Sequence, residues 1–108
     1  MKKLLAVVVA LALAAAALAI PALAATKTVA LNDTFFAPKS LTIARGTTIK
    51  FVWRGQLPHN VTVRTGPERF HTRNLTHGKT FAHTFARSGS YLIVCTIHPG
   101  MELRLRVR

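Results

Sequence analysis

Hydrophobic and polar residues alternate in several short segments of the chain after residue 25, and turn signals separate these segments. Alternation with a period of two is typical of strands that bury one face, and no later stretch has the 3.6-residue period of an amphipathic helix. Several short strands separated by turns predict an all-β sandwich or barrel. The predicted strand segments are "TVAL" near residue 28, "SLTIARGTTIKFVW" at 40–53 with a turn at Arg45-Gly46, "HNVTVRT" at 59–65, "KTFAHTFA" at 79–86, "SYLIVC" at 90–95 and "ELRLRVR" at 102–108.

The last of these segments alternates strictly. Its leucines and valine are predicted to face the core and its arginines to face solvent. A solvated arginine face discourages edge-to-edge pairing of sheets, and docking of a partner is the alternative use of this face. Residues 64–78 are the least strand-like and predict a long surface loop. The core-facing residues are Leu103, Leu105 and Val107, and the solvent-facing residues are Arg104, Arg106 and Arg108.

The first 25 residues follow a different pattern, in which two lysines precede an unbroken apolar run that ends in Ala22-Leu23-Ala24. A charged start, an apolar middle and a small-residue exit are typical of a secretory signal peptide. The run from Leu4 to Ile20 is short for a transmembrane helix, which needs about 20 apolar residues. We therefore expect a cleavable signal peptide at residues 1–24 and export to the periplasm, with an uncleaved anchor as the alternative. Residues 25–108 are expected to form one domain.

The composition is strongly basic, with a formal net charge of +12 and three acidic residues. Such a charge acts on partners and association rates rather than on the fold. Nucleic acid is the first partner that a basic chain suggests, but export and the scattered arginines argue against it. Acidic proteins and anionic membrane surfaces fit better, and a basic surface without a specific partner is the remaining interpretation.

The only cysteine of the chain stands in "CTIHPGM", residues 95–101. A lone cysteine at the end of an apolar strand is often a small buried hydrophobe, and in an exported protein it can also pair with another chain. Here, however, His98 follows Cys95 by three residues and Met101 follows by six, with Pro99-Gly100 between them. A turn at Pro-Gly can direct all three side chains to one point. A thiolate, an imidazole and a thioether form a ligand set that suits copper.

A second histidine completes this ligand set. Blue copper sites have two histidines and one cysteine in a trigonal plane, with a weak axial methionine. His59 lies in "LPHNV", after Pro58 and directly before an alternating strand, so we expect it in a loop at the end of a sheet. His59, Cys95, His98 and Met101 are therefore the candidate metal ligands.

These motifs resemble those of the cupredoxins, the small blue copper proteins of the plastocyanin/amicyanin group. "FFAPKSLTIARGTTIKFVW" is similar to the opening strands of the family, "PHNV" to its first-histidine motif, and "SGSYLIVCTIHPGM" to its ligand-rich ending. The resemblance extends from Thr28 to Val107. It implies a Greek-key β-sandwich that holds one copper ion.

The resemblance also assigns roles to individual residues. It implies that His98 is the ligand at the solvent edge, through which electrons pass, and that Asn60 beside His59 ties the two ligand loops together. The chain departs from the family in one place, since many relatives have an asparagine shortly before the first histidine. This chain has Trp53-Arg54-Gly55 there, so the usual hydrogen bond between the ligand loops is predicted to be missing or made differently.

The remaining histidines, His71, His77 and His83, are six residues apart and lack the convergent spacing of metal motifs. We expect His71 and His77 in a loop and His83 packed beside Phe81 and Phe85.

The function expected from these observations is that of a soluble, monomeric one-electron carrier. Its transient partners are expected to be acidic redox proteins, such as a cytochrome, a dehydrogenase or an oxidase. A periplasmic protein for copper storage or delivery is the alternative. Catalysis is not expected, because copper enzymes of this fold need a further copper site.

Overall fold

Eight β-strands run through residues 25–108, the part of the chain that the computed structural model describes. The predicted signal peptide at residues 1–24 lies outside the described residues. Between residues 25 and 108 no helix has the length and apolar character needed to cross a membrane. The strands are β1 (Thr26–Asn32), β2 (Phe35–Ala37), β3 (Ser40–Ile43), β4 (Thr48–Trp53), β5 (Thr62–Thr65), β6 (Thr80–Thr84), β7 (Gly89–Val94) and β8 (Glu102–Val107).

The strands form two four-stranded sheets, one with the order β2-β1-β4-β6 and the other with the order β3-β8-β7-β5. The pairs β1/β4 and β3/β8 are parallel, and the other neighbours are antiparallel. Each sheet buries one face, most clearly along β4 and β8, where every second residue is buried. The predicted all-β sandwich is therefore confirmed.

The core lies between the two inner faces. Aromatic residues of β4 and aliphatic residues of β1, β7 and β8 supply most of it, and burial of such side chains contributes about 1.5–3 kcal/mol each. The orientation predicted for the last strand is confirmed, since its leucines and valine are buried and its three arginines are exposed. The largest fully buried residues include Leu31, Phe36, Ile49, Phe51, Trp53, Phe85, Ile93 and Leu103.

Strand β2 is the one strand that the alternation pattern did not predict. It has three residues, too few for a period of two to be recognised, and Pro38 follows it directly. Pairing with β1, in which Phe36 lies opposite Leu31, fixes the strand. Phe36 is fully buried as a result, while Phe35 faces outward and is 41% exposed.

The predicted surface loop at residues 64–78 is confirmed only in part. Thr65 ends β5, and the following connection is irregular, but two of its hydrophobic residues, Phe70 and Leu75, pack against the core. Leu75 also exchanges backbone hydrogen bonds with His59, at 3.0 and 2.8 Å. The connection therefore supports the residue that was predicted to be the first metal ligand.

The carboxylate of Glu68 fastens the start of this connection to the turn between β6 and β7. It accepts hydrogen bonds from the backbone N–H groups of Ala86 and Arg87, the Tyr91 hydroxyl and His83 Nε2, all at 3.0–3.2 Å. Partial burial alone would raise the pKa of Glu68, but the bonds from Arg87, Tyr91 and His83 together hold this pKa below its ordinary value of 4.5. Burial and the neighbouring Glu68 charge raise the pKa of Tyr91 to about 12.

We expect Glu68→Gln to lower the free energy of unfolding by about 1.5–3 kcal/mol at pH 7, the range for hydrogen bonds to a charged group. Because the folded-state pKa of Glu68 is lowered, its contribution is complete above pH 4.5 and is lost as the pH falls through the folded-state value. Urea unfolding at pH 7 and pH 3 should therefore show a difference in stability from the parent that is smaller at pH 3.

Glu102→Gln is the matched control, since Glu102 lies 3.6–3.7 Å from two exposed arginines and makes only surface ion pairs. Glu102→Gln should change the free energy of unfolding by less than about 1 kcal/mol at either pH. An equal loss in both variants would contradict the role assigned to Glu68.

Candidate metal centre

Three candidate ligands converge where two connections meet. His59 lies between β4 and β5, and Cys95 and His98 lie between β7 and β8. The Nδ1 atoms of the two histidines are 3.1 Å apart, and the Cys95 Sγ lies 3.4 Å from His98 Nδ1 and 4.0 Å from His59 Nδ1. We call these three side chains the imidazole–thiol cluster.

The spacing of the imidazole–thiol cluster fits a single metal ion. Metal–nitrogen and metal–sulfur bonds of about 2.0–2.3 Å place the ligands of a trigonal plane roughly 3.5–4.0 Å apart. The three observed separations, 3.1 to 4.0 Å, are close to this range. Two imidazoles with one thiolate are the donor set of blue copper sites. Met101, the fourth candidate, is 1% exposed and belongs to the core beneath.

Backbone hydrogen bonds close the segment from Cys95 to Met101 into successive turns. The N–H of His98 donates to the carbonyl of Cys95, the N–H of Met101 to that of His98, and the N–H of Cys95 to that of Met101. Gly100 has a φ of 84°, which glycine adopts without strain. Two of these bonds span three residues each, which matches the spacing from Cys95 to His98 and from His98 to Met101.

His59 is fixed through its backbone as well as through its ring. Its carbonyl oxygen accepts the indole N–H of Trp53 at 2.8 Å and the N–H of Leu75 at the same distance. The whole residue is buried, with 0% of its surface exposed. The ring presents Nδ1 to the imidazole–thiol cluster and Nε2 to the Asp33 carboxylate, 2.7 Å away.

Asp33 is the site residue that the sequence analysis missed. Its Oδ2 accepts the N–H of Gln56 at 2.7 Å, and its Oδ1 accepts the N–H of Leu57 at 3.1 Å in addition to His59. The bonds from Gln56 and His59 lower the pKa of Asp33, so the group is an anion at neutral pH. The scarcity of acids in this chain was the only signal in the sequence that could have drawn attention to it.

Asn60 connects the two ligand-bearing connections. Its side-chain amide donates to Asn74 Oδ1 and Thr96 Oγ1, both at 2.8 Å, and its Oδ1 accepts the N–H of Thr96 and the hydroxyl of Thr62. Its backbone N–H points at the Cys95 sulfur, 3.4 Å away. Hydrogen bonds to the sulfur are among the features that tune blue copper sites.

The two histidines of the cluster differ in exposure. His59 is fully buried, whereas His98 is half-buried and forms the outer edge of the cluster. Two large hydrophobic residues beside the candidate ligands, Leu57 and Ile97, are 47% and 44% exposed. The edge at His98 is therefore the part of the cluster that solvent and other molecules reach.

The other histidines lie outside the cluster. His71 and His77 are exposed, and His83 stacks on Phe70 with 4.3 Å between ring centroids while its Nε2 contacts Glu68. Among the described residues, the imidazole–thiol cluster is the only group of three histidine, cysteine or acidic side chains that converges closely enough to hold a metal ion.

Comparison with known proteins places this geometry in context. The sequence model of the copper-binding proteins of the plastocyanin/azurin family matches residues 23–108. Amicyanin from Paracoccus versutus is 35% identical over 65 residues, which are 57% of this chain and 49% of that protein. The chain thus spans about half the length of this relative.

Solved structures have the same fold. The crystal structure of amicyanin from Paracoccus versutus superposes with a TM-score of 0.68 at 30% identity, covering 85% of this chain and 88% of that one. A copper-containing nitrite reductase from Thermus scotoductus SA-01 superposes with a TM-score of 0.70 at 34% identity, covering 82% of this chain but 23% of that one.

We expect Asn60→Ala to lower the free energy of unfolding of the metal-free protein by about 1–3 kcal/mol. The reason is that the substitution removes four hydrogen bonds and leaves the N–H of Thr96 without its acceptor. Denaturant titration without metal measures this effect. Asn74→Ala, which removes only one of the four hydrogen bonds, is the control and should lower the free energy of unfolding by less. Equal losses would show that the link between Asn60 and Thr96 is not the important one.

Proposed function

Because the chain belongs to the plastocyanin/azurin family of copper-binding proteins, we propose that it is a soluble one-electron carrier with a mononuclear blue (type 1) copper site. The observation that carries this proposal is the imidazole–thiol cluster, with two Nδ1 atoms and one Sγ within 4.0 Å of one another. We assign these three atoms as the in-plane ligands and the buried Met101 thioether as the weak axial ligand.

Copper, the cofactor of the chain, supplies the Cu(II)/Cu(I) couple. The protein's part is to hold its ligands in one arrangement for both oxidation states. The hydrogen bonds of Trp53, Leu75 and Asp33 fix His59, and the turns between residues 95 and 101 fix the other three. Since the ligands cannot swing apart, little rearrangement accompanies the gain or loss of an electron.

The exposed edge of His98 is the proposed point of electron entry and exit. Leu57 and Ile97 beside the ligands offer a small apolar contact, and transient redox encounters use small interfaces. The formal charge, +12 for the whole chain and +10 without Lys2 and Lys3 of the predicted signal peptide, attracts acidic partners and accelerates their encounter. We therefore propose transient docking of an acidic redox protein, such as a cytochrome, a dehydrogenase or an oxidase, onto a monomeric protein exported to the periplasm.

Two other functions for this site are less well supported. Catalytic metal sites keep an open coordination position, whereas the four assigned ligands complete a blue copper site, so a carrier fits better than an enzyme. A protein for copper storage or delivery would use the same ligands but release the metal. The many hydrogen bonds that hold His59 and the Cys95–Met101 segment favour retention.

Addition of Cu(II) to the purified protein should produce an intense blue thiolate-to-copper absorption band, and Cys95→Ser should abolish it because serine cannot supply the thiolate. His71→Ala is the control, since it removes an exposed histidine outside the cluster and should leave the band intact. A colourless parent with Cys95 still titrating as a free thiol would contradict the proposed site.

The same preparation separates the carrier from the storage protein. The carrier should keep its copper in the presence of excess chelator and be reduced and reoxidised repeatedly. Rapid loss of the blue band to the chelator would favour storage or delivery.

Electron transfer to an acidic redox protein should slow by about tenfold or more when the ionic strength rises from 0.01 to 0.15 M. Over this interval the screening length falls from about 30 Å to about 8 Å, which removes most of the steering by surface charge. Stopped-flow rates measure this effect, with an uncharged small reductant as the control that should be insensitive to salt. A basic redox protein that reacts faster than the acidic one at low salt would contradict the proposed partner class.

A further inference from the structure

The carboxylate of Asp33, in the turn between β1 and β2, lies directly behind the proposed copper ligand His59. Its Oδ1 is 2.7 Å from His59 Nε2, and its two oxygens also accept the N–H groups of Gln56 and Leu57. The ring of His59 is fully buried, and 30% of the Asp33 side chain is exposed. The pair therefore joins a core imidazole to an acidic group at the surface.

The direction of this contact determines which ring nitrogen of His59 carries the proton when a metal is bound. Nδ1 of His59 points at Cys95 and His98, so it must be free of a proton to bind a metal. The remaining ring proton then resides on Nε2, where it is donated to Oδ1 of Asp33. In metal sites, a partner of this kind orients the ligand and increases its basicity.

Gly55 leaves the space that the carboxylate occupies. A Cβ at this position would lie 2.2 Å from Asp33 Oδ1 and 2.7 Å from its Cγ. Gly55 is not among the glycines with positive φ, so the contact with Asp33, rather than the backbone conformation, requires glycine. The N–H groups of Arg54 and Gly55 both donate to the carbonyl of Leu31, which holds this segment against β1. This is the stretch in which the chain departs from the asparagine pattern of its relatives.

We propose that Asp33 is a positioning residue for the copper site: it orients His59 through Nε2 and lowers the reduction potential through its negative charge. This inference rests on the proposed function. Cu(II) carries one more positive charge than Cu(I), so an anion beside a ligand stabilises the oxidised state more than the reduced state. A neutral acceptor, such as an amide oxygen, would orient the ring equally well but without this preference.

A purely structural role is the competing explanation, because Asp33 also accepts the N–H groups of Gln56 and Leu57. In that role its replacement would lower the stability of the fold and leave the balance between Cu(II) and Cu(I) unchanged. The two explanations thus predict different reduction potentials for a copper-loaded protein in which Asp33 is replaced.

The first experiment compares Asp33→Asn with the parent and with Glu102→Gln, which removes the same formal charge from a residue whose ion pairs are with the exposed Arg64 and Arg104. We expect Asp33→Asn, which keeps an acceptor oxygen but removes the charge, to weaken Cu(II) binding about tenfold, the low end of the usual effect of mutating such a partner, and to weaken Cu(I) binding less. The reduction potential rises by about 59 mV for each factor of ten by which the loss of Cu(II) affinity exceeds the loss of Cu(I) affinity. The proposal would be overturned if Asp33→Asn had the same reduction potential, and the same ratio of Cu(II) to Cu(I) affinity, as Glu102→Gln.

The second experiment needs no copper. Nitrogen-15 NMR of the metal-free parent should show the His59 ring proton on Nε2, protected from exchange with solvent. Gly55→Ala keeps every charge but displaces the carboxylate, so this proton should exchange at least tenfold faster. A parent in which Nε2 of His59 carries no proton, or equal exchange in both proteins, would overturn the proposal.

The two experiments also separate this inference from the proposed function. A parent that fails to become blue with Cu(II) contradicts the blue copper site, while the NMR result still decides whether Asp33 holds His59. A blue parent whose potential is unchanged in Asp33→Asn contradicts only the role of Asp33.

Discussion

A fully buried imidazole needs a partner at both ring nitrogens, because an unsatisfied polar group in a protein core costs about 1–3 kcal/mol. His59 meets this requirement in a way that organises the rest of the site. Its Nε2 contacts Asp33, its Nδ1 faces Cys95 and His98, and its backbone is bonded to Trp53 and Leu75. Four separate segments of the chain therefore meet at one residue.

The sandwich makes this meeting possible because it brings the β1–β2, β4–β5 and β7–β8 connections together. Parallel pairing of β1 with β4 carries Leu31 alongside Trp53, and the chain then turns at Asp33 on one strand and at Gly55 on the other. The β5–β6 connection contributes Leu75, and Glu68 anchors the start of that connection to the β6–β7 turn. The fold thus supplies rigidity to the cluster through elements that contain none of its proposed ligands.

Much of this arrangement could be predicted from the sequence, and the limits have physical reasons. The alternation of "ELRLRVR" and the spacing of Cys95, His98 and Met101 are local patterns, so they report local structure directly. Strand β2 is too short to show a period. Asp33 was missed because its contact with His59 spans 26 residues and depends on the space above Gly55, which neither residue type reveals alone. The departure at Trp53-Arg54-Gly55 was visible, but the contact of this segment with a carboxylate from another turn was not.

The charge distribution acts on the proposed copper site in two opposing ways. The excess of lysine and arginine favours the less positive Cu(I), but these charges are spread over the surface and screened by salt within about 8–10 Å. Asp33 acts from a distance of 2.7 Å on a ring that is fully buried. Each acidic residue of the chain in fact has specific partners: Asp33 at His59, Glu68 at His83 and Tyr91, and Glu102 between two arginines. A single carboxylate in contact with a ligand can therefore set the local balance between the two oxidation states, while the basic surface remains available to attract acidic partners.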